Sequence, residues 1–292
     1  METFVLVVLG GLTLGGMYAL SAIGLSLMWG ALGMLNMAHG AFLAIGSYCC
    51  FALFTYWNLP VYFAIPLAIA ASGMFGLLVY LVIIKHMFRH PAFETNIIIA
   101  TIGLAIMVEN LILKLFGAYP YKQPLSFRGG FRIVDIFIPY QNLLILGSSI
   151  VLVSGVGLIL RQTRMGRAIR ATSMNKDAAL LMGVPVGQIY AQVMILSGGL
   201  AAVSGIMLSS ISTLSPNMGD SPMIKSFIIV AVAGLGNVYG AFIVAIGLGM
   251  LEAIFGYSLG TKFAFPALML LVIFVLIWKP YGLFGSKTIV RN

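Results

Sequence analysis

Four ionisable residues, His39, Glu109, Lys114 and Glu252, fall in or beside long apolar stretches. Such groups are costly in a hydrocarbon setting, so each marks a candidate place for a solute, an ion or a proton. Glu109 and Lys114 are five residues apart, about 140° around a helix, and do not pair simply on one face. Both fall toward the outer end of their segment, and the depth of Glu252 is left open by its surroundings. His39 closes a short polar run that begins at Asn36 and passes into Gly40. A buried histidine satisfied by hydrogen bonds is the ordinary reading there, and a solute contact is the functional one. A second glycine-rich interruption holds Gly234, Gly236 and Gly240 around Asn237. Glycine at such places exposes backbone amides and carbonyls, and a half-helix N-terminus beside it can face a carboxylate. The candidate substrate pathway is therefore Asn36, His39, Gly40, Gly236, Asn237, Gly240 and Glu252.

Bond-making chemistry finds no foothold. The chain has three histidines, and none forms an H-E-x-x-H pair. There is no G-x-S-x-G nucleophile turn and no G-x-x-x-x-G-K-[ST] phosphate loop. An intramembrane enzyme is accordingly the remotest of the rival readings, no metal or cofactor is expected, and any ATP that powers the protein must bind another chain. Cys49 and Cys50, the only cysteines, are adjacent in an apolar stretch and read as packing residues.

The elements that must position these residues follow from composition. Of 292 residues, 61% are hydrophobic and 8% are charged, against about 25% charged in soluble domains. From residue 3 to residue 84 there is no Asp, Glu, Lys or Arg. A spanning helix takes about 20 residues, so this run holds about three crossings. No basic region precedes the first apolar stretch, which speaks against a cleavable signal peptide. The net charge of +9 does not point to nucleic acid, because the basic residues sit in short loops between apolar runs. Lipid is the expected solvent, and no separate soluble domain is expected anywhere in 1–292.

Eight hydrophobic segments are expected, over 4–29, 32–57, 61–84, 96–116, 138–160, 189–214, 226–257 and 263–278. Positive charge clusters at Lys85, His86, Arg89 and His90, and again at Arg161, Arg164, Arg167, Arg170 and Lys176. Both clusters should be cytoplasmic, as should the tail with Lys279, Lys287 and Arg291. The loop 117–137 then lies outside despite Lys122, Arg128 and Arg132, and the N-terminus lies outside too. A plain eight-pass count leaves the tail on the wrong side. The segment 226–257, about 48 Å as one helix, is the place to break parity, as a half-helix followed by a full one. A second break is expected in 30–40. The class is all-α, a polytopic transmembrane bundle of about 8–9 segments with one or two broken helices. Gly40–Gly46 echoes Gly240–Gly247, with an Asn upstream of each, as a chance likeness or an internal repeat. Gly11 and Gly15, and Gly236 and Gly240, have the spacing that lets helices approach closely.

The loop 161–188 is long, basic and, in its second half, amphipathic. Asp177 precedes Ala178, Ala179, Leu181 and Met182, and Gly183 then Pro185 form a stop signal. A helix bracketed by basic residues at the cytoplasmic side is built to dock. Asp177-Ala-Ala-x-x-x-Gly183 resembles the E-A-A-x-x-x-G coupling motif of ABC importer permeases, with Asp for Glu. Gly166-Arg-Ala-Ile-Arg-Ala, Gly15-Gly-Met-Tyr-Ala-Leu, Asn36-Met-Ala-His-Gly40, the stretch 233–249 with Glu252 and the tail Lys279-Pro-Tyr-Gly-Leu-Phe-Gly285 are similar to LivH-type permeases for branched-chain amino acids. The likeness covers essentially the whole chain. Where such subunits carry Glu after the His-Gly pair, this chain has Ala41.

The resemblance implies a multi-pass protein of the bacterial inner membrane. It implies a related, LivM-like permease subunit as partner, two ATP-binding subunits inside and a solute-binding protein outside. Gly166, Arg167, Arg170, Asn175, Asp177, Ala178, Ala179 and Gly183 are then the ATPase-coupling residues, with Arg167 and Arg170 meeting acidic groups of the partner or lipid headgroups. Relatives that move urea, amides or small organic acids, sugar permeases of the ribose type, and an ion-coupled carrier using Glu109 and Glu252 stand as alternatives.

Overall fold

The computed structural model describes residues 2–88, 92–124, 129–133 and 136–285. Arg89, His90, Arg128, Lys287 and Arg291 lie outside the described residues. In chain order the helices are α1 (Glu2–Leu32), α2 (His39–Thr55) and α3 (Val61–Val79). A π-helical turn (Tyr80–Ile84) joins α3 to a last turn, α4 (Lys85–Met87). There follow α5 (Phe93–Phe116), α6 (Tyr140–Gln162), α7 (Arg164–Met174), α8 (Lys176–Leu181) and α9 (Val186–Ile211). The last three are α10 (Asp220–Ala233), α11 (Val238–Ser258) and α12 (Thr261–Trp278). Among the described residues, seven helices are long and apolar enough to cross a membrane. α2 has 17 residues and α10 has 14. The architecture is an all-helical polytopic bundle. Short strands occupy only the loops at one end, β1 (Tyr121–Lys122) against β4 (Thr213–Leu214) and β2 (Gly130–Ile133) against β3 (Ile136–Pro139).

The expected breaks both occur, with shifted bounds. α1 continues to Leu32, and residues 33–38 are irregular before α2, so the expected segment 32–57 is one short helix. Gly33, at φ +65°, ends α1 in a conformation that suits glycine. The expected segment 226–257 is two helices, α10 and α11, separated by 234–237. Gly236 lies in that interruption and Gly240 in the first turn of α11, so the two do not form a packing stripe on one helix.

Helix directions follow from contacts. Ser204 Oγ donates to Met17 O at 2.8 Å, and a Cβ on Gly24 would stand 3.0 Å from Ser197 Oγ, so α1 and α9 are antiparallel. α10 runs along α1 in the same sense, with Lys225 beside Tyr18, Ser226 beside Ser21 and Gly236 beside Gly30. α2 runs with α9, since Ser72 Oγ lies 3.0 Å from both Phe42 O and Gly198 O while Ser47 meets Gly205. The short helices α2 and α10 therefore leave a common point in opposite directions.

The packing repeats itself. α1 packs on α11 as α9 packs on α3, and α1 on α10 as α9 on α2. α2 meets α3 and α5 as α10 meets α11 and α12. The unit α1–α2–α3–α5 thus recurs, inverted, as α9–α10–α11–α12. The Gly40–Gly46 and Gly240–Gly247 echo is not this repeat, because α2 corresponds to α10 and not to α11. Lipid offers no hydrophobic drive between helices, and close backbone approach substitutes for it. A Cβ on Gly15 would lie 2.8 Å from Ile246 Cα, and one on Gly198 would lie 2.6 Å from Ser72 O. Gly11 and Gly15 so serve the tight α1–α11 contact that their spacing predicts.

Candidate functional site

Two places gather the candidate residues, one in the middle of the bundle and one at its end. In the middle, Gly40 at the start of α2 meets Gly219 just before α10. A Cβ on Gly40 would stand 2.7 Å from Gly219 O, so backbone touches backbone. Asn36 is buried, and its Oδ1 accepts from Ala38 N at 3.0 Å, which shapes the turn into α2. Met37 N donates to Thr101 Oγ1 at 3.1 Å, tying that turn to α5. His39 is fully buried, with Nε2 3.0 Å from Ser21 O.

A narrow recess opens on this junction. Ala41, Glu109, Pro216, Gly219 and Asp220 line it together with Gly40. Glu109 is half-buried and Asp220 exposed. The N-terminal ends of α2 and α10 both abut the recess, so partial positive charge from two helices meets two carboxylates. Glycine keeps the floor open to backbone groups.

Gly219 and Asp220 are absent from the sequence-based candidates. Residues 215–222 read Ser-Pro-Asn-Met-Gly-Asp-Ser-Pro. Two prolines, a glycine and an acidic residue ahead of an apolar run are the signal of a helix start, and that signal was there to be read. Lys225 was missed in the same way. It lies on α10, and its Nζ is 2.5 Å from Glu252 Oε1 and 2.8 Å from Tyr18 OH. Glu252 is thus held in an ion pair between α11 and α10, away from the Gly40–Gly219 recess.

At the end of the bundle, Gly236 (φ +83°) packs on Gly30 of α1. Asn237 caps α11, with Oδ1 accepting from Gly240 N at 2.9 Å, and its Nδ2 donates to Phe284 O at 3.1 Å. The tail seals the C-terminal end of α10, as Leu283 N donates to Val232 O and Phe284 N to Ala233 O. The structure therefore does not bring the Asn36–Gly40 break and the Gly236–Gly240 break to one place.

The loop 161–188 sits beside this second break. Thr163 Oγ1 caps α7 by accepting from Gly166 N at 3.1 Å, and a side chain at Gly166 would run into Leu160 O. Arg167 is exposed and reaches Gln162 O at 3.3 Å. Arg170 folds back to donate to Leu160 O, and it lines a cavity of about 290 Å³ with Ser26, Gly30, Gly236 and Asn237. Arg170 is thus turned toward the chain's own second break. Asn175 Oδ1 accepts from Ala178 N at 2.9 Å and starts α8, with Asp177 in the first turn. Gly183, at φ +77°, ends it, as Val184 N donates to Ala179 O.

The two alanines do not share a face. Ala178 is exposed, whereas Ala179 is 4% exposed and packs inward. The outward face is Leu181 and Met182, 90% and 85% exposed. Lys176 lies over the Phe88 ring at 5.1 Å, and Phe88 stacks on Tyr190. Ser173 and Tyr281 line one cavity. Lys85, the 161–188 loop and Lys279 therefore gather at one end, opposite β1 and β4.

The chain has relatives of known family. The permease protein BraD of the high-affinity branched-chain amino acid transport system of Pseudomonas aeruginosa is 28% identical, over 96% of this chain and 95% of its own length. LivH of Escherichia coli K12, named for the same kind of system, is 28% identical over 96% of this chain and 94% of its own. The probable LivH of Methanocaldococcus jannaschii is 28% identical over 94% and 91%. The family model described as branched-chain amino acid transport system / permease component matches residues 7–278. With that match running from the first helix to the end of the last, the chain belongs to the family of branched-chain amino acid transport permeases.

Proposed function

We propose that the chain is the membrane subunit of a binding-protein-dependent ABC importer in the bacterial inner membrane. Its solutes are branched-chain or other small amino acids, and the whole of 1–292 is one permease domain. The observation that carries the reading is α8 at the basic end of the bundle. Capped at both ends and too short to stand alone, it presents Leu181 and Met182 to the outside of the chain. That face fits a groove in an ATP-binding subunit. The sequence has no phosphate loop of its own, so ATP is hydrolysed on two such subunits. A related, LivM-like permease completes the path, and a solute-binding protein delivers the amino acid from outside. Counting α2 and the half-length α10 with the seven long helices gives nine membrane segments, and the tail then falls on the cytoplasmic side with Lys85 and the 161–188 loop.

The path passes the Gly40–Gly219 junction. Glu109 and Asp220 suit an α-ammonium group, and the α2 and α10 N-termini suit an α-carboxylate. Ala41 lines the same recess, so carboxylates face it from α5 and α10 and none comes from position 41. The pairing of Glu252 with Lys225 removes one of the acidic groups that an ion-coupled carrier would use.

The test is reconstitution of the chain with the ATPase, permease and binding proteins encoded beside it, followed by uptake of labelled leucine. ATP-driven uptake without an ion gradient supports the reading. Gradient-driven uptake by the chain alone overturns it.

A further inference from the structure

His39 does not line the recess beside it, although Gly40 does. It is fully buried, and its Nε2 stands 3.0 Å from Ser21 O and 3.2 Å from Ser21 Oγ. Ser226 Oγ stands 2.7 Å from Ser21 Oγ and 2.8 Å from Pro222 O. A carbonyl only accepts and each hydroxyl has one hydrogen to give. One order satisfies every contact of this chain: with a proton on His39 Nε2 shared between Ser21 O and Ser21 Oγ, Ser21 donates to Ser226 and Ser226 donates to Pro222 O. His39 Nδ1 has no hydrogen-bond partner among the described residues, and in this order it carries the ring's lone pair. The chain starts in the first turn of α2, crosses α1 and ends on a carbonyl in the first turn of α10. It thus joins the two short helices whose starts meet at Gly40 and Gly219.

We propose that His39 is a positioning residue for translocation, holding α2 and α10 in register through Ser21 and Ser226 so that the Gly40–Gly219 junction moves as one unit. This rests on the importer reading. A bulky apolar residue at 39 fills the space but gives nothing to Ser21, whereas glutamine keeps an Nε2 donor on a flexible stem. Ser226→Ala breaks the last link with the loss of one oxygen.

The experiment has two arms. In the first, the complete transporter in proteoliposomes is given increasing solute-loaded binding protein. His39→Leu and Ser226→Ala are expected to lower the maximal uptake rate per assembled complex about tenfold, the effect of one lost hydrogen bond on a barrier. The half-saturating concentration should not move, ATP hydrolysed per solute should rise, and His39→Gln should recover most of the rate. An unchanged rate per complex overturns the proposal. So does a loss confined to the amount of complex assembled, or one shared equally by His39→Gln. In the second arm the chain alone, in lipid with ¹⁵N-labelled histidine, is studied by solid-state NMR. His39 is expected to be neutral with its proton on Nε2, and Ser226→Ala to shift that resonance. A proton on Nδ1 overturns the hydrogen-bond order whatever uptake does. Absence of ATP-driven uptake by the unaltered transporter overturns the importer reading and the role in translocation, while the spectrum still judges the chain of bonds.

Discussion

Lys225 Nζ lies 2.5 Å from Glu252 Oε1, with both side chains mostly buried, and it also sits 4.9 Å from the centre of the Tyr18 ring. The pair fastens α10 to α11, and Tyr18 brings in α1. Breaking a buried pair leaves one charge unmatched and costs about 3–5 kcal/mol, whereas apolar replacement of both is neutral or better. Glu252→Gln is therefore expected to lower the thermal midpoint of the purified protein sharply. Lys225→Met with Glu252→Leu should return it to the starting value or above. A thermal-shift series in detergent decides, and equal losses for single and double variants would contradict the pairing.

Gly40 has no room for a side chain against Gly219. Overpacking a close contact costs about 1–3 kcal/mol, and here the strain falls where α2 and α10 meet. Gly40→Val should abolish uptake in reconstituted vesicles while ATPase subunits still co-purify with the chain. Uptake at the unaltered rate would show that the junction takes no part.

The face of α8 offers a separable test. Leu181 and Met182 are almost fully exposed, so Leu181→Asp with Met182→Asp should leave the chain's thermal midpoint in place. Each side chain contributes roughly 1.5–3 kcal/mol if fully buried in a partner. Co-purification of the ATP-binding subunit should consequently fall well over tenfold. Retention of that subunit at full stoichiometry would place the docking face elsewhere.

Gly183 distinguishes backbone from bulk. No atom lies within 4 Å of the Cβ position there, and the cost of alanine is the left-handed backbone alone, about 1 kcal/mol. Gly183→Ala should keep most of the uptake. Gly183→Trp should lose uptake, with solute binding by the external protein unchanged.

Asn237 has two jobs that one substitution can split. Asn237→Asp keeps the cap on α11 but loses the donor to Phe284, whereas Asn237→Ala loses both and costs about 1 kcal/mol for the cap. Limited proteolysis should cut the tail after Lys279 faster in both variants, and only Asn237→Ala should also lower the thermal midpoint appreciably.

The long helices were legible because a charge-free apolar run has one stable form in lipid. The break before α2 was legible through Asn36 and Gly40, and the break after α10 through Gly234 and Gly236, since these residues tolerate backbone that helices do not. The start of α10 was not assigned, because its first residues are polar and a search for apolar runs begins only at Ser226. With it went Gly219, Asp220 and Lys225. The inverted repeat was invisible for a different reason. It resides in which helices touch, and glycine, alanine and isoleucine are common enough here to offer false echoes. Gly183 marked the end of α8, and Asp177 fell in its first turn. The inward turn of Ala179 depends on how α8 lies against its neighbours, which spacing does not encode.

Synthesis delivers α1, α2 and α3 to the membrane along a run, from residue 3 to residue 84, that holds no Lys or Arg. Until Lys85 emerges, no positive charge within that run holds the connections between these helices to one side. Ser21 and His39 are inserted with that first group, but Ser226 is more than 180 residues behind them. Ser21 thus has His39 beside it from the start, but its second partner comes only with the last third of the chain. A nascent chain stalled before α10 should be caught by membrane quality control, and the inverted second unit completes the first only once α10 has been made.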